Sequence, residues 1–377
     1  MLACRQVALG ICAVKIAILG SRGIPASYGG LETSVQETAV RFVKSGIDTT
    51  VYCRSNYYRD RLPTYDGVKL VHLPTVKSKK LDTITHTFLS VIHSVLRGYD
   101  VVILYGLGNS IFIPFCRLLG MPVISVVDGA DWERKKWDAF AKWFLRTCRI
   151  FAVRFSNFYV VDNELLAGEY FRKFGVKPVY IPYGANASVD YNRNVLKKFG
   201  LEEREYIIFI GRFVREKGVD LLIESFEKVR TDKKLVIVGG NDTDKAYEEK
   251  LKSTRDDRII FTGFLYGSEC DSLLKSALFY TSCSYLEGTS PSLLSAMAVN
   301  GFAVVSDIDE NKEVLKGTCA TFRSGDPSDY VEKMNHYLNN AGHFEAERQK
   351  TREIVNKYYT WEKITEDYIH LFEETLK

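Results

Sequence analysis

The chain has 377 residues, which exceeds the size of one ordinary hydrophobic core and predicts two domains. Hydrophobic residues make up 46% of the sequence and charged residues 26%, a balance that excludes disordered and fibrous classes. The formal net charge of +4 is too small to indicate a nucleic-acid partner, and we expect none.

The eight cysteines are scattered and form no Cys-x-x-Cys pair, which favours reduced thiols in a cytoplasmic protein over a metal site or disulfides. Residues 1–14 carry an early arginine and a short apolar run, as a signal peptide does, but Lys15 interrupts that run. No apolar run approaches the roughly 18 residues of a membrane span, so none is predicted.

Short apolar runs alternate with longer amphipathic stretches, which predicts parallel, doubly wound sheets in an α/β protein. In the first half, helices are predicted over 30–45 and 83–97, and strands at 15–19, 49–53, 68–72, 100–104, 122–127, 158–161 and 179–181. A second series of strands follows at 206–210, 234–238, 258–261, 278–281 and 302–305. The sequence therefore predicts two Rossmann-like domains, 15–185 and 195–358, facing a cleft. Residues 184–194 form the predicted linker, and 360–377 return to the first domain as a helix.

A glycine-rich loop, GSRGIPASYGG at 20–30, follows the first predicted strand and ends where a helix begins. Glycines let the backbone approach a ligand closely, and the start of a helix supplies N–H donors. The spacing differs from the dinucleotide fingerprint G-x-G-x-x-G. We favour a binding loop that ends in Gly29 and Gly30, and a flexible crossover is the alternative.

Asp128 ends a wholly apolar strand, which is where α/β enzymes place active groups. It is a candidate base or partner for a sugar hydroxyl, and the alternative is a cap on the following helix.

Residues 132–158 then interleave aromatic and basic side chains, which suits a membrane surface. A core-facing helix with a solvated basic face would give the same sequence pattern, and we favour this interpretation.

Two further motifs carry charge. The segment IFIGRFVREKGVD at 208–220 places Arg212 and Lys217 after a strand, where together they can neutralise a diphosphate. A solvated basic turn is the weaker alternative, because an apolar helix follows at once.

The segment LEGTSPSLLSAMA at 286–298 places the Glu287 carboxylate before a turn and a helix. The amides of this turn (Gly288, Thr289, Ser290) and the helix dipole suit an anion, with Ser290 as N-cap and Pro291 first in the helix. An ordinary capped helix after a strand is the alternative.

Taken together, these motifs resemble the family 4 retaining glycosyltransferases of the GT-B fold, over nearly the whole chain from Lys15 onward. The 20–30 loop, the stretch DGADWERKKW from Asp128 and IPYGA at 181–185 are similar to the subgroup with a DUF1972 amino-terminal domain. That subgroup includes bacterial rhamnosyltransferases of capsule and cell-wall polysaccharide synthesis. The resemblance implies an acceptor-side first domain and a second domain that binds a nucleotide sugar. It also implies a cytoplasmic enzyme that acts on a saccharide acceptor, carried on polyprenyl diphosphate, at the inner membrane surface.

The resemblance assigns roles residue by residue. Arg212 and Lys217 match the pair that holds the donor diphosphate, and Glu287 matches the first glutamate of E-x7-E, which contacts the donor sugar. Gly29 and Gly30 match the loop around the diphosphate, and the base is expected against the backbone of Gly263 and Phe264. Asp128 lies near the place where many relatives carry a histidine.

The implied reaction breaks the bond from the anomeric carbon to the diphosphate through an oxocarbenium-like state, with cations stabilising the leaving group. Retention of configuration is expected, with no metal and no cofactor beyond the nucleotide sugar.

One position departs from the family pattern: the second glutamate of E-x7-E falls on Ser295. In relatives that glutamate binds the ribose hydroxyls, so a serine suggests a deoxyribonucleotide donor such as dTDP-rhamnose. A non-catalytic GT-B subunit that supports a partner enzyme is the alternative function. An NAD-dependent oxidoreductase is disfavoured because the dinucleotide fingerprint is absent.

Overall fold

The computed structural model describes residues 14–26, 29–76, 78, 81–127, 138–241, 244–340 and 344–377. The chain divides into two compact units: unit 1 is Met1–Tyr183 with Trp361–Lys377, and unit 2 is Gly184–Thr360. Each unit is built on one largely parallel sheet flanked by helices, so the predicted α/β class with two Rossmann-like sheets is confirmed.

Unit 1 contains a sheet whose strands, among the described residues, lie in the order β3-β4-β2-β1-β5-β6-β7-β8. They are β1 (Lys15–Leu19), β2 (Asp48–Arg54), β3 (Thr64–Tyr65), β4 (Val68–Leu73), β5 (Val101–Tyr105), β6 (Val123–Val127), β7 (Phe158–Val161) and β8 (Val179–Tyr180). All neighbours pair in parallel except β3 with β4. The central strands β1, β5 and β6 are largely apolar and buried, as expected for a parallel sheet that helices cover on both faces.

The helices of unit 1 that precede unit 2 are α1 (Gly30–Lys44), α2 (Asp82–Val95), α3 (Ile113–Leu118), α4 (Ala139–Phe155) and α5 (Glu164–Phe174). A 3-10 helix, Leu107–Phe112, leads into α3. The favoured prediction for 132–158, a core-facing helix with a solvated basic face, holds for the described helix α4, but two of its aromatic side chains do not reach the core. Phe140 is 73% exposed and Trp143 is 60% exposed, because α4 buries Leu145, Cys148 and Ala152 instead.

Unit 2 contains a wholly parallel sheet of described strands in the order β11-β10-β9-β12-β13-β14. They are β9 (Tyr206–Ile210), β10 (Lys234–Val238), β11 (Ile259–Gly263), β12 (Tyr280–Ser282), β13 (Ala303–Ser306) and β14 (Ala320–Phe322). The helices are α6 (Asn194–Lys198), α7 (Val219–Phe226), α8 (Lys245–Lys252), α9 (Gly267–Ser276), α10 (Pro291–Val299), α11 (Asp309–Leu315), α12 (Pro327–Asn339) and α13 (Phe344–Tyr358). A 3-10 helix, Arg215–Lys217, precedes α7.

The last helix, α14 (Trp361–Thr375), belongs to unit 1 and packs on α1. The Phe42 ring lies 6.1 Å from the Tyr368 ring and 5.1 Å from the Phe372 ring, both edge to face. The predicted return of the C-terminal helix to the first domain is therefore confirmed. Among the described helices, none has the length and apolar character needed to cross a bilayer.

In each sheet, the strands that follow the first one are added on one side of it and later strands on its other side. The boundary between the two sides is the topological switch point of the sheet. In unit 1 this switch point lies between β1 and β5, and in unit 2 it lies between β9 and β12. Ligands of open α/β sheets bind outside the carboxyl ends of the strands at such points. The fold therefore directs attention to the loops that follow these four strands.

Candidate functional site

The switch point of unit 2 brings together two residues that lie 70 positions apart in the sequence. The Lys217 Nζ atom donates to Glu287 Oε1 at 2.5 Å, and Ser284 Oγ donates to the same oxygen at 2.6 Å. The side chains of the ion pair are mostly buried, with 16% of Lys217 and 9% of Glu287 exposed. The sequence predicted both residues, but their direct contact is a finding of the structure.

The residue after Lys217 must be a glycine. Gly218 has φ +59°, and a Cβ atom there would lie 2.2 Å from the carbonyl oxygen of Cys283. The Tyr285 amide donates to the Glu216 carbonyl at 2.8 Å. The loop after β9 is thus locked against the segment after β12, which fixes Lys217 beside Glu287.

Arg212 lies in the same loop, directly after Gly211, and its side chain is exposed. The Gly211 amide donates to the Val238 carbonyl at 3.0 Å, and the Phe213 amide donates to the Gly240 carbonyl at 2.9 Å. These bonds hold the backbone on both sides of Arg212 to the end of β10. The structure therefore places Arg212 and Lys217 in one ordered loop at the carboxyl edge of the sheet, as the sequence predicted.

The helix after Glu287 starts where the sequence predicted it, with Ser290 at the N-cap position and Pro291 first in the helix. The expected side-chain cap is wrong: Ser290 makes no capping bond to the backbone, and its Oγ atom instead lies 3.3 Å from Ser292 Oγ. Thr289 and Ser290 are almost wholly buried, so Gly288 is the more accessible part of the turn.

Ser295 lies in the second turn of α10, on the less buried face of the helix. Leu293, Leu294, Ala296 and Met297 are buried in the core, whereas Ser295 is half-buried, as are Ser292 and Val299. The position that carries a glutamate in the family motif is therefore accessible here. A longer side chain at 295 would reach out from the helix without displacing the core.

Behind the ion pair lies a set of buried hydroxyls that the sequence did not flag. Ser282 Oγ and Ser284 Oγ share a hydrogen bond of 2.9 Å, and Ser306 Oγ donates to the Ser284 carbonyl at 2.6 Å. Burial also raises the pKa of the Tyr280 hydroxyl, which shares a 3.2 Å hydrogen bond with Ser292. The only available signal was a cluster of serines at the ends of β12 and β13.

The end of β11 forms an exposed aromatic platform. Gly263 has φ +75° with open space where a Cβ atom would lie, and the Phe264 and Tyr266 rings stack with centroids 6.2 Å apart and planes 3° apart. The two rings are 38% and 48% exposed. A flat ring such as a nucleobase can stack on such a surface. The sequence predicted Gly263 and Phe264 but missed Tyr266.

The switch point of unit 1 is more crowded. Gly20 has φ +97°, and a Cβ atom there would lie 2.1 Å from the Tyr105 carbonyl oxygen. Arg54 Nη2 donates to the Gly20 carbonyl at 3.2 Å, and Arg54 Nη1 pairs with Asp82 at 2.8 Å. Buried charge therefore supports the start of the glycine-rich loop.

Gly29 and Gly30 lie at the start of α1, as predicted, with Gly29 extended at the N-cap position. Glu32, in the first turn, accepts the Arg22 amide at 3.3 Å. Burial raises the pKa of Glu32, although this hydrogen bond opposes the shift. Glu32 was also missed by the sequence reasoning, and an acid two residues after the Gly29-Gly30 pair was its signal. Asp128 lies outside the described residues.

Within the described parts of the chain, no three His, Cys, Asp or Glu side chains gather into a possible metal site. All six described cysteines are free thiols, and four of them are buried. The site therefore consists of one ion pair, one exposed arginine, a helix start and an aromatic platform, all at the carboxyl edge of the unit 2 sheet.

Comparisons with known proteins show the family. The family model for glycosyl transferases group 1 matches residues 192–358, and the model for the glycosyl transferase 4-like domain matches residues 29–184. Together the two models cover most of the chain, which belongs to the glycosyltransferases of the GT-B fold.

Several relatives are similar in sequence, among them the following two. The uncharacterized glycosyltransferase MJ1607 of Methanocaldococcus jannaschii is 25% identical over 200 residues, and the chain spans only half of its length. YtcC of Bacillus subtilis is 24% identical over 329 residues, which cover 80% of this chain and 77% of YtcC.

Many solved structures share the fold, including the following two. Sucrose-phosphate synthase from Thermosynechococcus elongatus has a TM-score of 0.80 at 16% identity, covering 96% of this chain and 98% of that one. HepE of Anabaena, solved with UDP and glucose, has a TM-score of 0.79 at 14% identity, covering 96% of this chain and 100% of HepE.

Proposed function

We propose that this chain moves a hexosyl group from a nucleoside diphosphate sugar to a saccharide acceptor, with retention of configuration and without a metal ion. The observation that carries the proposal is the Lys217–Glu287 pair at the switch point of unit 2, with Arg212 in the same loop. A transferase of this kind needs cations for the diphosphate and a carboxylate near the sugar. The solved complex of HepE with UDP supports the donor class.

The ion pair suits a site that must hold a diphosphate. An ammonium group has three N–H donors, so Lys217 can keep its bond to Glu287 while it donates to a phosphate oxygen. The bond between the anomeric carbon and the diphosphate breaks as negative charge builds on the leaving group. Arg212 and Lys217 stabilise that charge, and such preorganised donors are a large contribution to catalysis.

The acceptor proposal rests on the sequence motifs. The similarity of the 20–30 loop and of IPYGA at 181–185 to the DUF1972 subgroup supports a bacterial rhamnosyltransferase of capsule or cell-surface polysaccharide synthesis. A growing polysaccharide carried on polyprenyl diphosphate would be the acceptor, at the inner face of the membrane. The same resemblance assigns Gly29 and Gly30 to donor binding.

Ser295 is the residue from which we infer the nucleotide of the donor. A half-buried serine binds a ribose diol less well than a carboxylate does, which supports a donor that lacks the 2′-hydroxyl, such as dTDP-rhamnose. We expect Ser295→Glu to improve the use of UDP- or GDP-sugars, because a carboxylate at this accessible position accepts two hydroxyl hydrogen bonds. An unchanged donor preference would contradict this choice of nucleotide.

A panel of dTDP-, UDP- and GDP-sugars tests the function. We expect slow hydrolysis of one donor by the purified protein, with the released sugar initially in the anomeric configuration of the donor when followed by proton NMR. Binding without hydrolysis or transfer would favour the alternative, a non-catalytic subunit for a partner enzyme. No binding of any nucleotide sugar would contradict both functions.

A further inference from the structure

Helix α2 has its polar and apolar faces reversed relative to an ordinary surface helix. Its buried face carries small or polar residues: His86, Thr87, Ser90, Val91 and Ser94. The buried hydroxyls of Ser90 and Ser94 donate to carbonyl groups of the same helix. Its outward face, extended by one residue at each end, carries large apolar side chains that are 37–80% exposed: Leu81, Phe88, Leu89, Ile92 and Leu96. A surface helix of a globular protein normally turns such residues inward.

The exposed apolar surface continues onto the neighbouring helices. A groove of about 440 Å³ lies between α2 and the 3-10 helix Leu107–Phe112, where the Phe88 and Phe112 rings are 6.0 Å apart. On α3, Leu118 is 83% exposed, and on α4, Phe140, Trp143 and Ile150 are 51–73% exposed. The buried residues Val91, Cys116 and Cys148 show that the three helices cover the same core. We call the outward surfaces of α2, α3 and α4 the apolar face.

The charges on these three helices have almost one sign. Their only acidic residue is Asp82, which is paired with Arg54. The cations Arg117, Arg146 and Arg154 are exposed and Lys142 is half-buried. Arg149 contributes little to the surface because it is buried and pairs with Glu169 at 2.7 Å. The exposed Asp138 carboxylate at the N-cap of α4 offsets part of this charge. The described border of the apolar face is still net positive, which is complementary to an anionic surface.

We propose that the apolar face is a membrane-contact surface that binds bilayers with anionic headgroups. The apolar side chains enter the boundary between headgroups and acyl chains, and Trp143 sits at the depth that tryptophan prefers. Lys142, Arg146 and Arg154 then meet the lipid phosphates. None of these residues belongs to the proposed donor site, and none takes part in the transfer reaction. Membrane binding and sugar transfer can therefore fail independently.

The geometry favours a lipid surface over a protein partner. Leu96 and Leu118 are 80% and 83% exposed, so they project from the ends of their helices rather than lining a pocket. Projecting aliphatic side chains insert readily into a fluid interface, whereas a protein interface places its anchors in matching pockets. Exposed apolar surface of this extent marks an interaction site.

Co-sedimentation with vesicles tests the proposal. We expect the full chain to bind vesicles of phosphatidylcholine mixed with phosphatidylglycerol, and the double variants F140S/W143S and L96S/L118S to bind them about tenfold less. The matched control is L62S/L376S, two leucines of unit 1 that are 44% and 43% exposed away from the apolar face, which should bind like the wild type. Absence of vesicle binding, or equal binding by all variants, would overturn the proposal.

A charge variant separates the two contributions. The triple variant K142Q/R146Q/R154Q should weaken binding to anionic vesicles by roughly fivefold per cation and leave binding to pure phosphatidylcholine unchanged. Circular dichroism and nucleoside diphosphate binding should match the wild type, which shows that the fold and the donor site are intact. A concentration-dependent dimer that F140S/W143S abolishes, with no vesicle binding, would assign the apolar face to a second copy of the chain instead.

Discussion

The switch points of the two sheets have the same topology and opposite chemistry. In unit 1, protein groups fill the space after β1: Arg54 binds the Gly20 carbonyl, and Asn109 Nδ2 donates to the Tyr105 carbonyl at 2.8 Å. In unit 2, the equivalent space after β9 carries Lys217 with Glu287 and the exposed Arg212. The strands have the same arrangement at both switch points, so the difference in charge comes from the loops that follow the strands.

The two buried ion pairs sharpen this contrast. Asp82 in unit 1 accepts bonds from Arg54 and from the Tyr57 hydroxyl, so its partners belong to the fold. Burial by itself would raise the pKa of Asp82, yet the charge of Arg54 and these hydrogen bonds lower it. Glu287 in unit 2 shares its lysine with the space where a diphosphate is proposed. The first pair has only partners that belong to the fold, and we propose that the second serves the transfer reaction.

Removing the unit 1 arginine should have the largest effect on stability. Arg54→Ala leaves the Asp82 carboxylate without its cation and the Gly20 carbonyl without its donor, and we expect a loss of about 3–5 kcal/mol in the free energy of unfolding of unit 1. Denaturant unfolding followed by circular dichroism measures this. An exposed pair gives the control: Lys198→Ala, whose partner is Glu269, should cost about 1 kcal/mol or less. Equal losses for the two variants would refute the structural role of Arg54.

A smaller loss is expected at the glycine that fixes Lys217. Gly218→Ala adds a Cβ atom 2.2 Å from the Cys283 carbonyl and also strains a left-handed residue, so we expect about 2–4 kcal/mol of destabilisation in unit 2. Gly267→Ala is the matched control, because Gly267 has φ +54° but open space around the added atom. It should cost only the backbone strain of about 1–2 kcal/mol. If the two alanine variants are equally stable, the close approach of the two loops is not as described.

The smallest effect concerns acid sensitivity, which we expect in unit 1. Burial and the nearby Arg54 charge lower the pKa of His86 to about 4, against 6.5 as the ordinary value. The unfolded chain therefore binds more protons between these values, and the folded state loses stability as the pH falls through that range. Between pH 7 and pH 5 we expect a loss of roughly 1–2 kcal/mol.

The variant His86→Leu should lack this loss, as measured by chemical unfolding of unit 1 at both pH values. His336→Leu, which changes an exposed histidine of unit 2, should keep the wild-type dependence. The explanation fails if His86→Leu is as acid-sensitive as the wild type.

The sequence predicted the central strands well because they are continuous apolar runs; β1 and β9 begin and end at the predicted residues. It missed β3 and β14, which have two and three residues and carry too little periodicity to be recognised. The exposure of Phe140 and Trp143 was also missed. Composition cannot say which face of a helix meets the core when large apolar residues lie on both faces.

For the site, residue types were more predictable than contacts. Lys217 and Glu287 were identified separately from their motifs, and their hydrogen bond depends on how β9 and β12 are ordered in the sheet. Ser284 and Tyr266 carry no distinctive pattern, so only the fold shows that they lie at the site. Arg54 and Asp82 likewise come from different elements, and no local signal connects them.

Calorimetric titration of uridine, UDP and dTDP into the wild type and the Lys217→Ala variant tests the central claim most directly. We predict that a nucleoside diphosphate binds the wild type more tightly than the nucleoside does, and that Lys217→Ala weakens only the diphosphate, by about tenfold to a hundredfold. Lys198→Ala should change neither. If UDP or dTDP binds Lys217→Ala and wild-type protein equally well, the unit 2 switch point is not the diphosphate site.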